Sequence, residues 1–372
     1  MPSLFDATDL INGLQLRNRL VRSATWEGLS DDQGHVTDEL VELYRDLAAG
    51  GVGLIISSYL YVRRDGRQNL GQLGADHDDC IPGLARIVEA VHGAGGAVAA
   101  QLVHCGGQST RQANGNQRMV APSALESPGY PEVPEELSEE GIEELVACFA
   151  TAARRAVDAG FDAIELHGAH GYLLASFLSP LRNHRSDKFG GSISHRCRFT
   201  LDVFRAIRDV VGPDFPVLIK LNGSDFLEGS TTEVDSTKLA VALGYAGIDA
   251  IEVSGGTPGS GSLGPARVGI KSAEDEAYFL AQARAIRSAT PGVPMILVGG
   301  LRSLERIEPL IAYGEVDYVA MSRPLIREPG LLNRWASGDH RAPNCFSCSR
   351  CFAPARKGDG VQCMRLGEDK PS

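Results

Sequence analysis

The middle of the chain reads Phe161-Asp-Ala-Ile-Glu-Leu166 and continues as His167-Gly-Ala-His170-Gly-Tyr172. The first six residues are mostly apolar, which is typical of a short strand buried on both faces of a parallel sheet. A helical pattern at 138–159 precedes this strand, and a segment with two histidines and a tyrosine follows it. The stretch therefore predicts one helix–strand–loop unit whose functional side chains come directly after the strand.

The same unit repeats in both directions from this stretch. We predict short apolar strands at 20–24, 52–57, 97–102, 161–166, 217–221, 248–253, 295–298 and 318–321. Helical patterns between the strands lie at 38–49, 82–92, 138–159, 195–211, 233–245 and 273–288. Because an open doubly wound sheet rarely repeats this unit so often, the alternation predicts an α/β fold of the (β/α)8 TIM-barrel type. A Rossmann-type sheet would need a Gly-x-Gly-x-x-Gly turn, and none follows the first two strand candidates.

The domain organisation follows from where this alternation stops. We predict a barrel domain at 1–335, opened by a short N-terminal hairpin, and a small Cys-rich C-terminal extension at 336–372. The 372 residues, 43% of them hydrophobic, suffice for one large core. A net charge of −11 argues against nucleic acid or an anionic membrane surface as a partner. Neither a leader pattern nor an apolar stretch of about 18 residues is present, so we expect a cytoplasmic protein without a membrane span.

Two neighbouring loops near the end of the barrel carry the features of a phosphate site. Gly299 and Gly300 follow the seventh strand candidate, and Ser322 and Arg323 follow the eighth. Small residues expose backbone N–H groups, and an arginine side chain pairs with phosphate oxygens, so these loops predict phosphate binding. The alternative is a tight corner at the two glycines and a surface charge at Arg323.

Other polar residues lie near the ends of inner strands. The ammonium group of Lys220 would stabilise negative charge at the mouth of the barrel, although a structural ion pair is the alternative. Gln101 offers both a donor and an acceptor. The Gly-rich segment 255–264 is either a mobile substrate loop or a plain linker.

His167, His170 and Tyr172 allow more than one interpretation. Two histidines at this spacing could bind a metal, but nothing nearby in sequence supplies a clear third ligand. Alternatively, the two imidazoles donate hydrogen bonds to a substrate oxygen while Tyr172 delivers a proton as general acid. We favour this second interpretation over metal binding or core packing.

The segment from His167 to Pro180, HGAHGYLLASFLSP, continues through Asn183 to Ser192 as NHRSDKFGGS and closely resembles the long motif of the old yellow enzyme family. Further matches extend the resemblance over residues 4 to 335. The resemblance implies FMN bound noncovalently at the barrel mouth and ping-pong turnover. NAD(P)H would reduce the flavin, and an activated alkene or similar acceptor would oxidise it.

The resemblance also implies roles for individual residues. His167 and His170 correspond to the pair that anchors the substrate's electron-withdrawing oxygen, and Tyr172 corresponds to the proton donor. The cofactor-binding residues implied by motif position are Ser23, Ala24, Thr25, Tyr59, Gln101, Lys220, Gly299, Gly300, Ser322 and Arg323. Lys220 stands where arginine is more usual, Tyr59 replaces a small residue, and Trp26 replaces the Thr or Cys that often tunes the flavin.

Four cysteines crowd the C-terminal extension, at Cys345, Cys348, Cys351 and Cys363. Three closely spaced cysteines and one distant one favour a [4Fe-4S] cluster over the paired arms of a zinc knuckle, with zinc and unliganded thiols as alternatives. The arrangement resembles the cluster site of flavoproteins of the trimethylamine dehydrogenase and 2,4-dienoyl-CoA reductase type. In those relatives the cluster exchanges single electrons with FMN, so we expect an electron-carrier protein as a possible partner.

Three functions fit these observations. The first is a flavin ene-reductase that uses NAD(P)H to reduce an activated C=C bond, such as that of an enoate or dienoyl compound. The second is a flavin dehydrogenase that oxidises a small amine or similar substrate and passes electrons to the cluster. The third is a flavin-free phosphate-binding barrel with a zinc tail. We favour the first, acting on a small-molecule substrate within a homo-oligomer.

Overall fold

The computed structural model describes residues 1–368 and contains a closed parallel barrel. Its eight strands are β1 Leu20–Arg22, β2 Leu54–Tyr61, β3 Ala97–Val103, β4 Ala163–Gly168, β5 Val217–Asn222, β6 Ala250–Ser254, β7 Met295–Leu297 and β8 Tyr318–Met321. Each strand pairs in parallel with the next, and β8 closes the barrel on β1. All eight strands coincide with runs predicted from the sequence, and the predicted TIM barrel is confirmed.

Helices alternate with the strands and form the outer layer. The helices that follow the eight strands and cover the barrel are α1 Asp38–Ala49, α2 Ile81–Gly93, α3 Glu139–Asp158, α4 Arg198–Val211, α5 Glu233–Ala246, α6 Leu280–Ala289, α7 Leu304–Ala312 and α8 Leu331–Ala336. Short helices lie at Arg111–Asn114, Leu173–Leu178, Ile193–Arg196, Arg323–Arg327 and Phe352–Ala355. Polar residues begin several of them; the Thr232 side chain, for example, accepts a hydrogen bond from Asp235 N in a capping box at α5.

One predicted helix is wrong at its start. The pattern at 273–288 predicts a continuous helix, but Ala273–Asp275 forms only a single 3-10 turn and α6 begins at Leu280. Ala277 has φ +57°, a left-handed conformation that no α-helix accommodates. The break directs the segment before α6 towards the carboxyl end of the barrel, where Tyr278 lies close to Gly299 and Gly300.

The barrel is filled by alternate residues of the strands. Leu54 and Ile56 of β2 pack inwards with residues of the other strands, whereas Ile55 belongs to the outer core between sheet and helices. The predicted N-terminal hairpin is a single antiparallel bridge between Thr8 and Leu16, and Leu16 joins the inner cluster. The hairpin therefore closes the amino end of the barrel, and the carboxyl end is left for chemistry.

The second strand is longer than predicted because it contains a bulge. Its register with β3 shifts between Ile56 and Tyr59, and pairing then continues to Tyr61. A bulge inserts an extra residue and changes the direction of the following side chains. Tyr59, beyond this irregularity, reaches the cavity at the carboxyl end of the barrel.

The C-terminal segment packs across the carboxyl end of the barrel. Arg302, in the loop after β7, donates to Ser347 Oγ at 2.6 Å and to Pro343 O at 3.1 Å. Arg323, after β8, donates to Ser349 Oγ at 2.9 Å. The segment is thus fastened to the loops that were predicted to bind phosphate. Within residues 1–368, no helix is both long and apolar enough to cross a membrane.

Candidate active site

A cavity of about 440 Å³ opens at the carboxyl ends of the strands, within the size range of small-molecule sites. Residues at or just beyond the ends of seven strands surround it, together with the C-terminal segment. The predicted site residues that line it are Ser23, Ala24, Thr25, Tyr59, His170, Tyr172, Lys220, Gly300, Ser322 and Arg323. The remaining predicted residues are placed just behind this lining: Gln101 and His167 are buried beside it, and Gly299 precedes Gly300.

One end of the cavity has the geometry expected of a phosphate cradle. Gly300 has φ +77°, and a Cβ atom there would lie 2.8 Å from the Tyr278 ring, so only glycine fits without rearrangement. Across from it, the Thr25 and Ser322 hydroxyl groups lie 2.7 Å apart. Arg323 borders the same space. This end of the cavity therefore combines two hydroxyl groups, a guanidinium group and a stretch of backbone that a ligand can approach closely.

A charged network lies beneath the cavity, inside the barrel. Lys220 Nζ is 2.7 Å from Glu252 Oε2 and donates to Ser23 Oγ at 2.8 Å. Gln101 Nε2 donates to Glu165 Oε2 at 2.6 Å. Burial, together with the neighbouring Glu252 carboxylate, raises the pKa of Glu165 well above its usual range. Burial therefore favours the protonated form of Glu165, while Lys220 makes its ion pair with Glu252.

His167 at the end of β4, and His170 and Tyr172 just after it, lie close together beside the cavity. The His167 ring lies 5.0 Å from the His170 ring and 4.7 Å from the Tyr172 ring, between centroids. His170 has φ +60°, and its backbone N–H donates to Asn222 Oδ1 at 3.2 Å, which holds the strained turn. In the described part of the chain, these two imidazoles belong to no group of three metal-ligating side chains, so a metal site there is not supported.

His170 and Tyr172 both have defined hydrogen-bond partners. His170 Nε2 lies 2.8 Å from Ser254 Oγ at the end of β6. Tyr172 Oη donates to Gln68 Oε1 at 2.8 Å, and Tyr59 Oη donates to the same oxygen at 2.9 Å. The Gln68 amide group in turn donates to Tyr130 Oη at 2.7 Å. A polar network thus orients Tyr172 from the side away from the histidines.

Burial sets the protonation states of the three groups. Desolvation, aided by the Lys220 charge, lowers the pKa of His170 to about 3. Desolvation likewise lowers the pKa of His167 well below its usual value. Burial and the neighbouring phenols raise the pKa of Tyr172 well above its usual value. At neutral pH both imidazoles are therefore uncharged hydrogen-bonding groups, and Tyr172 retains a proton that it can donate.

Several residues of the site were missed by the sequence analysis. Glu165 and Glu252 are charged residues inside apolar strands, a signal that was available but not used. Gln68 and Tyr130 lie on long loops without periodicity, and nothing in the sequence indicates that they reach Tyr172. The C-terminal residues Ser347, Phe352 and Arg356 also line the cavity.

The four C-terminal cysteines occupy the segment that packs beside this cavity. Ser347 and Ser349, between the first three cysteines, both have left-handed φ, of +51° and +55°. The Ser347 N–H donates to Cys345 Sγ at 3.5 Å, and Arg327 Nη1 donates to Cys363 Sγ at 3.4 Å. Among residues 1–368, no three of these sulfur atoms lie within 4.8 Å of one another, although the sulfur ligands of one zinc ion would be about 3.8 Å apart.

The closed parallel barrel, with polar groups from many strand ends around one cavity, has the architecture of a TIM-barrel enzyme. Residues 3–341 match the model of the NADH:flavin oxidoreductase / NADH oxidase family. The chain belongs to this family. The predicted resemblance to old yellow enzymes is thereby confirmed.

Known proteins similar to the chain differ in length. A metal reductase of Desulforamulus reducens is 35% identical over 356 residues, which cover 95% of this chain and 52% of that protein. The structure of 2-naphthoyl-CoA reductase with 2-naphthoyl-CoA is 27% identical, with a TM-score of 0.89 over 97% of this chain and 56% of that one. Morphinone reductase is 30% identical, with a TM-score of 0.79 over 92% and 91% of the two chains. The chain spans about half the length of the first curated relatives it matches.

Proposed function

We propose that the chain is an FMN-dependent reductase of activated C=C bonds that uses NADH or NADPH as electron donor. The observation that carries this proposal is the convergence of uncharged His170 and protonated Tyr172 on the cavity that Lys220 also lines. Morphinone reductase and 2-naphthoyl-CoA reductase, which the chain resembles, are named for reductions and support the assignment.

The residues around the cavity fit FMN. The cradle at Gly300, with Thr25, Ser322 and Arg323, would hold the phosphate group. Trp26 Nε1 and Gln101 Oε1 are buried and lack hydrogen-bond partners within residues 1–368, so a donor and an acceptor are left for a ligand. Bound FMN would supply hydride transfer from NAD(P)H to the alkene, and Lys220 would stabilise the added negative charge.

The chain's own residues would prepare the substrate for reduction. His167 and His170, both uncharged, would donate hydrogen bonds to the electron-withdrawing oxygen of the substrate. These bonds would make the β carbon of the C=C bond electron-poor. Tyr172 would deliver a proton to the α carbon, which is bonded to the carbon that bears this oxygen. With the hydride added at the β carbon, one hydride and one proton saturate the C=C bond. Gln68 would keep the Tyr172 hydroxyl group in position.

We further propose a [4Fe-4S] cluster on Cys345, Cys348, Cys351 and Cys363. The left-handed residues between the cysteines and the N–H bond to Cys345 Sγ support a loop that wraps a ligand. Within residues 1–368 no three of the sulfurs lie as close together as zinc requires, and the spacing of three near cysteines and one distant one favours a cluster. The cluster would exchange electrons with a carrier protein. We propose this carrier protein as a partner. We also propose that the chain forms a homo-oligomer and is located in the cytoplasm.

The cysteine segment beside the cavity also supports a second candidate function. Ser347 lines the cavity and directly precedes Cys348, so single electrons could leave the site through this segment. The chain could then act as a dehydrogenase that oxidises a small amine or similar compound.

Anaerobic mixing of the FMN-loaded protein with NADH, NADPH or a simple amine separates the two candidates. We expect NADH or NADPH to bleach the flavin band near about 450 nm, and an α,β-unsaturated ketone to restore it while the saturated ketone does not. The saturated product should carry deuterium when the nucleotide is labelled at its hydride position. Bleaching by the amine and by neither nucleotide would contradict the reductase proposal and favour the dehydrogenase.

A further inference from the structure

A second cluster of ligating side chains lies away from the cavity, between the loop before α1 and the loop before α2. The ligand atoms of His35, His77 and Cys80 all lie within 4.8 Å of one another. Cys80 Sγ is 3.7 Å from His77 Nδ1 and 3.9 Å from Nε2. Nitrogen and sulfur ligands of one tetrahedral zinc ion would be about 3.6 Å apart, given Zn–N and Zn–S bonds of about 2.05 and 2.3 Å. The spacing therefore suits a shared ion.

His35 is oriented as a metal ligand would be. Its Nδ1 lies 3.2 Å from Asp31 Oδ2, and Asp31 is itself held by the backbone N–H groups of Gln33 and His35. The other ring nitrogen, Nε2, is buried and has no hydrogen-bond partner in the described chain. A carboxylate that fixes one imidazole nitrogen while the other faces the ion is the usual support of metal-binding histidines.

Asp76 lies next to this group of three, on the side of His77. Its Oδ1 is buried without a hydrogen-bond partner among residues 1–368 and lies 3.7 Å from His77 Nε2. The nearby cations are engaged elsewhere: Arg155 Nε donates to Asp78 Oδ1 at 2.7 Å, and Arg64 Nη1 donates to Tyr61 Oη at 2.9 Å. Neither arginine therefore donates a hydrogen bond to Asp76 in these contacts, although the charges of both act on its carboxyl group.

We propose that His35, His77, Cys80 and Asp76 form a structural zinc site. Two imidazoles, one thiolate and one carboxylate are a donor set that zinc accepts in tetrahedral geometry. His35 and His77 are about a third or more exposed, so an ion can enter from solvent. The ion would tie the β1–α1 loop to the β2–α2 loop. Since the β1–α1 loop also carries Ser23, Ala24 and Thr25, the ion would fix one wall of the cavity.

The test uses the purified holoprotein with the C-terminal cysteines intact, titrated with Zn²⁺ against a chromophoric chelator. We expect one equivalent to bind, with affinity lowered at least about 100-fold in Cys80→Ser and in His35→Gln. His92→Gln is the matched control, because His92 also pairs with a carboxylate, that of Asp162 at 2.9 Å, but lies outside the cluster. This control should bind zinc as the wild type does.

Two further readouts keep the test decisive. Zinc should raise the melting temperature of the wild type and of His92→Gln by a few degrees, and that of His35→Gln hardly at all. Because the His35 side chain is about a third exposed, its replacement tests the site even if Cys80→Ser does not fold. X-ray absorption should report one sulfur and three nitrogen or oxygen ligands around zinc. Equal zinc affinity in wild type and His35→Gln, or a four-sulfur environment, would overturn the proposal.

Discussion

Replacement of Tyr172 by phenylalanine is expected to slow the oxidative half-reaction by about 10²–10⁴-fold, the usual contribution of a positioned general acid. Reduction of the flavin by NAD(P)H should change little, because that step needs no proton from Tyr172. The phenol is the acidic group that faces the cavity beside the two uncharged histidines. When the Tyr172 hydroxyl group is lost, Gln68 Oε1 still accepts the hydrogen bond from Tyr59 Oη. The hydrogen-bond network around Gln68 should therefore persist.

The protonation states of His170 and Tyr172 also predict how the oxidative rate of the wild type depends on pH. The pKa of His170 is lowered to about 3 and that of Tyr172 is raised well above its usual value, so neither group titrates between about pH 5 and 9. The oxidative rate of the wild type should therefore be flat across this range. A sharp loss of rate with rising pH near neutrality would show that another group donates the proton.

Stopped-flow spectroscopy of each half-reaction alone measures the effect. Tyr318→Phe serves as a control, because Tyr318 is also a buried tyrosine but its hydroxyl group lies 3.1 Å from Thr8 Oγ1 at the closed end of the barrel. It should leave both rates near those of the wild type. Equal slowing of the two half-reactions by Tyr172→Phe would argue for a general disturbance of the site and against proton donation.

Replacement of Cys348 by alanine is expected to remove iron almost completely, from about four atoms per chain, while FMN stays bound. Cys348 is exposed in the protein, so its loss should not disturb the core. A [4Fe-4S] cluster needs four thiolates, and three leave one iron without a protein ligand. The phosphate cradle and Lys220 do not involve Cys348 and should retain the flavin.

Iron and flavin analysis after anaerobic purification measures this outcome. Cys148→Ala is the matched control, because Cys148 is a half-buried thiol on α3, remote in sequence from the four cysteines. The control should keep the full iron content. Iron-free wild-type protein would end the cluster proposal, whereas zinc in place of iron would favour the alternative of a structural zinc site on these cysteines.

The sequence was most informative about the barrel because every strand is short, apolar and buried on both faces. Runs such as 97–102 and 318–321 appear in the structure within one residue of their predicted ends. Helix α6 was misjudged because apolar periodicity does not report the left-handed backbone at Ala277. Periodicity describes which face is buried, and a local reversal of φ leaves no periodic trace.

The site was only partly predictable for a different reason. His170, Tyr172 and Lys220 lie directly after or within strands, where the barrel itself places side chains at the cavity. Gln68 reaches Tyr172 across 104 positions of sequence, and such a contact depends on how long loops fold. Glu252 was missed although it interrupts an apolar strand, because the functional side chains of a barrel are expected at the carboxyl ends of strands and not in their interiors.

All of these expectations require that the cavity at the carboxyl end of the barrel binds FMN. The most direct measurement is a titration of the flavin-free protein with FMN that is monitored by fluorescence quenching and visible absorbance. We expect one FMN per chain and a yellow protein, with FMN affinity strongly reduced when Gly300→Leu fills the cradle beside Tyr278. A folded, colourless protein that takes up no FMN in this titration would contradict it.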